Sequence, residues 1–200
     1  PTAQEVPTGN WNLNVNSGGI AFEKVLKIET VKPNRLKINL TFPVSKLSES
    51  TRDVTGDLTA AWLQGATARN LKVKIDVLMT KEPTSFTQYG SYEFTDNSKS
   101  FSPAEETLFE GTTDENGKAS IPAHFQPENS APGMLRANFT VRVFEKGGDF
   151  RIARFNMVYS PDSSYVGIKT PEGDKRGLLL TDTTHWVDVV TVDEDGKPIS

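Results

Sequence analysis

Apolar and polar residues alternate one for one through much of this chain, and that period leaves β-strands as the main structure open to it. Leu36, Ile38, Leu40 and Phe42 alternate with Arg35, Lys37, Asn39 and Thr41. Leu71, Val73, Ile75 and Val77 alternate with Lys72, Lys74 and Asp76. Leu135, Ala137, Phe139, Val141 and Val143 lie opposite Arg136, Asn138, Thr140 and Arg142. Successive strand side chains point to opposite faces, so each run offers one face to a core and the other to water. Phe150–Tyr159 reads as a further strand, apolar on both faces towards its end, and Trp186–Val192 closes the series. Asn116-Gly117, Gly147-Gly148 and Asp195-Gly196 are the turns between runs. Helix is nearly absent. Pro103–Phe109 reads as one short helical turn capped by Ser102 or as a charged strand edge, and Ala60–Gly65 as strand or a single turn. The expected fold is all-β, an immunoglobulin-like antiparallel β-sandwich.

Composition removes several functions. Lys and Arg number 22 against 26 Asp and Glu, a net charge of −4 with a pI near 5.3, which argues against a nucleic-acid partner. Apolar residues at 36% with 11 Phe suffice for a core. There is no cysteine, so disulfides, zinc–thiolate sites, thiol chemistry and a thioester are all excluded from this segment. No run approaches the roughly 18–20 apolar residues of a membrane-spanning helix, so the segment itself is not expected to cross a membrane. Pro1 without a methionine and a strand-like run close to Ser200 read as an excised or processed piece of a longer polypeptide.

The strand pattern divides the chain. Residues 1–31 hold two strand candidates, Trp11–Asn16 and Phe22–Glu29, across Ser17-Gly18-Gly19, too few to stand alone. Residues 32–160 hold about seven, the complement of one Greek-key sandwich. Ser160–Ser164 marks a boundary, and 161–200 adds two or three strands without completing a domain. The end pieces either pack on the central domain or belong to neighbours. Thr113–Ile121 and Thr191–Ile199 echo one another: each is an acidic turn with Gly at its apex, Gly117 or Gly196, and Lys behind it.

Catalytic patterns are sparse. His124 and His185 are solitary, without metal-ligand spacing, and read as structural or surface residues. Asp193-Glu194-Asp195 and Asp114–Asn116 read as surface turns, with a sandwich-edge calcium site as the alternative. Phe86, Tyr89, Tyr92, Phe94 and Phe101 cluster in a Ser/Thr-rich stretch. They read as anchors of a long loop on the core or, alternatively, with Tyr89 and Tyr92 as an exposed platform for sugar or protein. Arg136 and Arg142 share a face, where pairing with nearby acids is expected. Ser45–Val54, with Lys46 and Arg52 in a polar context, has a cleavable look but reads as a linker or long loop.

Several strings, in order, resemble the macroglobulin-like domains of bacterial alpha-2-macroglobulins. They are Ile28–Ile38, Gly56–Val73, Glu110–Ala119, Val141–Glu145, Tyr159–Lys169 and Val189–Pro198, covering most of residues 28–200. The resemblance implies a stack of β-sandwich modules in a large envelope-associated protein that traps proteases. Nothing here matches that family's Gly-Cys-Gly-Glu-Gln-type thioester string. The chain is therefore expected to be a non-catalytic structural module without cofactor, catalytic residue or metal. Residues 1–31 would close a preceding macroglobulin-like module, 32–160 form a complete sandwich, and 161–200 open the next. Its partners would be neighbouring modules and, through the whole parent, proteases. The implied setting is periplasmic or cell-surface, with a lipid anchor from a missing N-terminus. Gly117 and Gly196 are the expected structural turns, and Trp62 and Tyr165 the expected module contacts. A carbohydrate- or protein-binding module of adhesin type is the alternative.

Overall fold

A computed structural model describes residues 9–28, 35–51, 53–124, 131–174 and 176–199. The strands are β1 (Gly9–Ser17), β2 (Ile20–Ile28), β3 (Leu36–Thr41), β4 (Leu47–Ser48), β5 (Thr55–Trp62), β6 (Lys72–Lys81), β7 (Glu105–Thr112), β8 (Lys118–Pro122), β9 (Leu135–Phe144), β10 (Phe150–Ser160), β11 (Ser164–Lys169) and β12 (Asp188–Asp193). Pro103–Phe109 resolves as coil leading into strand β7 rather than as a helical turn. Trp186 and Val187 precede β12 instead of starting it, and Glu29 lies outside the described residues.

The chain forms two compact units, Pro1–Arg35 and Leu36–Ser200. The first contains the antiparallel pair β1–β2, in unbroken register from Gly9 opposite Ile28 to Ser17 opposite Ile20. The second contains a five-stranded sheet ordered β4-β10-β9-β6-β7, a three-stranded sheet ordered β3-β5-β8 and the pair β11–β12. Among the described residues the strand pairings are antiparallel except the short β4–β10 contact.

The alternation decides which face of each sheet is buried. In β9, Leu135, Ala137, Phe139, Val141 and Val143 are all buried, while the intervening residues are half-exposed. Val73, Ile75, Val77 and Met79 of β6 join them from beside, and Leu36, Leu40, Leu58 and Ile121 of the three-stranded sheet meet them from across. Phe42 lies 5.5 Å from Phe139 between the two layers. Two facing sheets with one shared core make a β-sandwich. A second, smaller core lies under the loop joining β6 to β7, where Phe86, Phe94, Met134, Tyr165 and Val192 are buried together. That second core places residues 164–193 against the sandwich.

Candidate functional site

The second core joins the sandwich to β11–β12, and its aromatic residues all come from the stretch between Thr84 and Tyr165. The loop after β6 turns inward because Thr84, itself buried, accepts the Met134 N–H through its hydroxyl at 2.7 Å. The Tyr89 N–H donates to the Phe86 carbonyl at 2.8 Å and the Tyr92 N–H to the Tyr89 carbonyl at 2.9 Å, winding the loop into two tight turns. Phe86 and Phe94 then meet edge to face at 4.8 Å, and Tyr165 approaches Phe86 at 5.8 Å. Edge-to-face pairs of this kind add about 0.5–1.5 kcal/mol beyond area burial.

Two glycines admit these rings. A β-carbon on Gly167 would meet the Phe94 ring at 2.5 Å, and one on Gly196 would meet the Phe86 ring at 2.7 Å. Each glycine sits on the β11–β12 side, so the absence of a side chain there is what lets the loop close. Main-chain pairing completes the contact: the Glu93 N–H donates to the Ile168 carbonyl at 2.8 Å, and the Ile168 N–H to the Glu93 carbonyl at 2.9 Å.

Polar pins surround the aromatic centre. Tyr165 and Ser160 share a hydrogen bond of 2.6 Å between hydroxyls, and Ser160 also donates to the Asp162 carbonyl at 3.0 Å. Burial raises the Tyr165 phenol above its ordinary pKa, so it serves as a neutral hydrogen-bonding group. Lys46 donates to the Glu194 carbonyl and pairs with the Asp195 carboxylate at 3.0 Å. The hydrogen bond and charge of Lys46 hold the Asp195 carboxyl below its usual range. Ser50 reaches Glu194 at 3.4 Å. The segment with a cleavable look is thus pinned rather than loose: Leu47 is buried and pairs with Tyr159 of β10. Arg52 lies outside the described residues.

The structure places the remaining sequence candidates as follows. Gly117 and Gly196 have φ of +73° and +82°, the left-handed region, and each closes a tight turn with its N–H donating to the carbonyl of Asp114 or Asp193; the Gly117 turn carries the chain from the five-stranded to the three-stranded sheet. In both turns an aspartate organises the backbone: Asp114 Oδ1 accepts N–H groups from Asn116 and Lys118, and Asp193 Oδ1 from Asp195 and Lys197. Asp174 repeats the device with Arg176 and Leu178, a third copy that sequence reading missed although its Asp-x-x-Gly spacing is visible. Trp62 is half-buried at the end of β5, packed on the main core. Tyr165 is buried in the second core. Tyr89 and Tyr92 are half-buried, their rings at 89° to one another and 5.5 Å apart, with no shared plane.

On the outer face of the five-stranded sheet Arg136 and Arg142 are paired with acids. Arg136 binds Glu82 through Nε at 2.7 Å and through Nη2 at 2.5 Å, and Nη1 reaches Asn156 at 2.8 Å. Arg142 binds the buried carboxylate of Asp76, which also accepts the Thr107 hydroxyl at 2.8 Å. Burial alone would raise the Asp76 pKa, but the Thr107 and Arg142 hydrogen bonds and the charges of Lys74 and Arg142 outweigh it and hold it low. His185 Nε2 contacts the Leu180 carbonyl at 2.9 Å, and His124 is exposed; burial raises the Glu106 carboxyl above its usual range, with the nearby charge of His124 opposing the rise. Among the described residues, no group of three or more His, Asp or Glu is placed to hold a metal ion.

Comparison with known proteins gives a consistent result. The model of the bacterial alpha-2-macroglobulin MG5 domain matches residues 34–154. An alpha-2-macroglobulin homolog of Yersinia pestis is 24% identical over 202 residues, covering 96% of this chain and 10% of the relative. The alpha-2-macroglobulin of Pasteurella multocida is 29% identical over 153 residues, covering 69% of this chain and 8% of the relative. The chain therefore spans about a tenth of the length of these relatives. Among solved structures, the native conformation of E. coli alpha-2-macroglobulin superposes with a TM-score of 0.56 at 19% identity, over 95% of this chain and 13% of that one. Salmonella alpha-2-macroglobulin reacted with methylamine gives 0.54 at 18% identity, over 99% and 14%. At these identities the structural likeness speaks for the fold.

Proposed function

Since the chain belongs to the family of the bacterial alpha-2-macroglobulin MG5 domain, we propose that it is a non-catalytic structural module of a protease trap in the cell envelope. In this reading residues 1–31 close a preceding module, 32–160 are one complete sandwich, and 161–200 open the module that follows. The parent meets proteases, in the periplasm or at the cell surface, and holds its anchor elsewhere. The module's own partners are its neighbours in the chain. It needs no cofactor.

The observation that carries this reading is the second core. Phe86 and Phe94 are buried against Tyr165 and Val192, and Tyr89 and Tyr92 are half-buried with rings at 89° to one another, which favours a joint over a flat aromatic platform of adhesin type. Close-packed interiors are stiff, so a displacement of β11–β12 is passed to the β9–β10 end of the sandwich through Met134 and Val158. The Lys46–Asp195 pair and the Ser160–Tyr165 hydrogen bond add direction to that contact, because they fix rotation about the aromatic centre. A module that spaces and transmits rearrangement requires this kind of joint.

The test uses the full-length parent. It is incubated with several proteases, and molecular size and residual activity are followed on a small peptide and on a large protein substrate. Retained peptide cleavage with protection of the large substrate is the expected result. Equal activity on both, with no compaction after cleavage, overturns the trap.

A further inference from the structure

β10 is the longest of the described strands, with eleven residues, and most of it borders its sheet. In the order β4-β10-β9-β6-β7 its neighbour on one side, β4, meets only Tyr159 and Ser160. Along Phe150–Val158 no strand is paired on that side among the described residues. The phase of the ladder fixes which residues lie open there. The Glu145 N–H donates to the Asp149 carbonyl at 2.7 Å, so these two form a hydrogen-bonded pair at the head of β9–β10. Bonded and non-bonded pairs alternate along an antiparallel ladder. Arg151, Ala153 and Phe155 therefore bond to β9, across from Val143, Val141 and Phe139. Phe150, Ile152, Arg154 and Asn156 turn their N–H and carbonyl groups the other way, where no described backbone group meets them.

Two other sheet edges are guarded. β7 is offset by a bulge against Ile75 and Asp76 and carries Glu105, Glu106 and Glu110, and β8 has five residues and ends in Pro122. Such devices keep an edge from pairing with another chain. β10 has no Pro or Gly and an unbroken register with β9. Its outer face is apolar where the edge is open: Phe150 is 48% and Ile152 44% exposed, and the Phe144 ring lies 5.4 Å from that of Phe150. The charges that β6, β9 and β10 place on this face are unevenly matched. Arg136 is met by Glu82, Arg142 by Asp76, and Lys74 by Asp76 and Glu110. Arg154 and Lys72 have no acidic partner among the described residues, and Lys72 stands 5.9 Å over the Phe144 ring. Glu145, Lys146 and Asp149 lie in the turn beyond Phe150, and Arg151 belongs to the inner face.

We propose that the edge of β10 from Phe150 to Asn156 takes an added antiparallel strand from a separate polypeptide, an extended segment with apolar residues across from Phe150 and Ile152 and a carboxylate across from Arg154. In strand addition the main-chain hydrogen bonds supply affinity and alternate side chains supply specificity. Opposite charges directly across a ladder stabilise it and like charges weaken it, so Arg154 selects an acid. A second copy of β10 does not meet that demand, because Phe150–Ser160 contains no carboxylate. The strands of this chain outside the sandwich sheets are paired with each other, β1 with β2 and β11 with β12. The edge belongs to the sandwich itself and stands whether or not the parent traps proteases.

The probe is a fluorescent peptide, Thr-Val-Glu-Ser-Val-Thr-Val, titrated with the full-length parent and with the 200-residue chain and read by anisotropy. Laid antiparallel with its Glu across from Arg154, it sets its two later Val residues across from Ile152 and Phe150. N-methylation of the Glu removes an N–H aimed at β10 and should weaken binding roughly tenfold. N-methylation of the adjacent Ser, whose N–H points away, should leave binding unchanged. Arg154→Glu should weaken binding roughly tenfold and restore it for the peptide with Lys in place of Glu, a reversal that also shows the variant to be folded. Failure of both proteins to bind overturns the proposal, as do equal losses from the two N-methylations or an Arg154→Glu variant that treats both peptides alike. Binding by the short chain but not by the parent also overturns it, because the parent's own polypeptide then covers the edge. Self-association of the short chain that Arg154→Glu abolishes overturns it by making a second copy the occupant. A parent that binds the peptide without trapping proteases leaves this inference standing and removes the trap, and trapping without peptide binding does the reverse.

Discussion

Among the described residues, two antiparallel strand pairs lie outside the sandwich sheets, β1–β2 and β11–β12, and they differ in how far they are buried. β1–β2 is the longer, with nine residues in each strand. Its pattern is amphipathic: Trp11, Leu13 and Val15 stand opposite Leu26, Lys24 and Phe22 on one face, while Asn10, Asn12, Asn14 and Asn16 take the other. Every β1 residue is nevertheless exposed, Leu13 at 44% and Phe22 across from Val15 at 59%. β11–β12 has six residues in each strand, yet Val192 is 0% and Tyr165 4% exposed. Ladder hydrogen bonds alone leave a two-stranded hairpin marginal in water. The shorter pair is the better anchored one because Phe86 and Phe94 close over it.

The sharpest way to break this contrast is Phe86→Ala. Removing a buried phenylalanine costs about 3–5 kcal/mol, and here the loss should fall on the joint. Amide exchange in β11 and β12 should rise towards that of β1–β2, while β9 stays protected. If wild-type β11–β12 already exchanges as fast as β1–β2, the comparison fails at once.

Glycine substitutions give the next largest effect. Gly196→Ala forces an alanine to φ of +82° and brings its β-carbon to 2.7 Å from the Phe86 ring, so a loss of about 2 kcal/mol is expected. Gly18→Ala in the β1–β2 turn meets only the backbone cost at φ of +58°, with open space around it, for about 1 kcal/mol. Urea melts of the two variants read the difference, and equal losses would mean that the ring contact at Gly196 contributes nothing.

Acid should separate the regions further. The folded pKa of Asp76 and that of Asp195 both lie below the ordinary aspartate value of about 3.9. The stability these groups contribute is therefore complete above that value and lost as pH falls through the lower folded pKa. As pH falls below about 4, β11–β12 should loosen as the Lys46 pair is neutralised, together with the β6–β7 edge held by Asp76. Exchange in β1–β2 should change least. The smallest effect belongs to Lys46→Met at neutral pH, a fall in Tm of about 1–2 °C for a half-exposed ion pair, with faster exchange confined to β12 and its turn.

The central strands were legible because their alternation and their burial have the same cause. Val73, Ile75 and Val77, and Leu135 through Val143, are buried at every second position as their pattern predicts. The arginine–acid pairing on the outer face was legible as well, since Arg136 and Arg142 share a strand face and acids lie on neighbouring strands. The joint was only half legible. The aromatic cluster was visible between Phe86 and Phe94, but its cover, Tyr165 and Val192, is some 70 to 100 residues away in the sequence. Lys46 and Asp195 are 149 positions apart, and no local pattern links them. Asp76 sits at a polar position of β6 and is still only 7% exposed, because Arg142 and Thr107 reach over it from adjacent strands.

Sequence alone determined the central strands and their inward faces, since both follow from side-chain period within a few residues. Tertiary structure decided which polar groups are buried, which glycines admit an aromatic ring and which of two similar strand pairs is held. Those outcomes depend on groups brought together from distant parts of the chain, and a close approach such as Phe94 over Gly167 exists only once the sheets have packed.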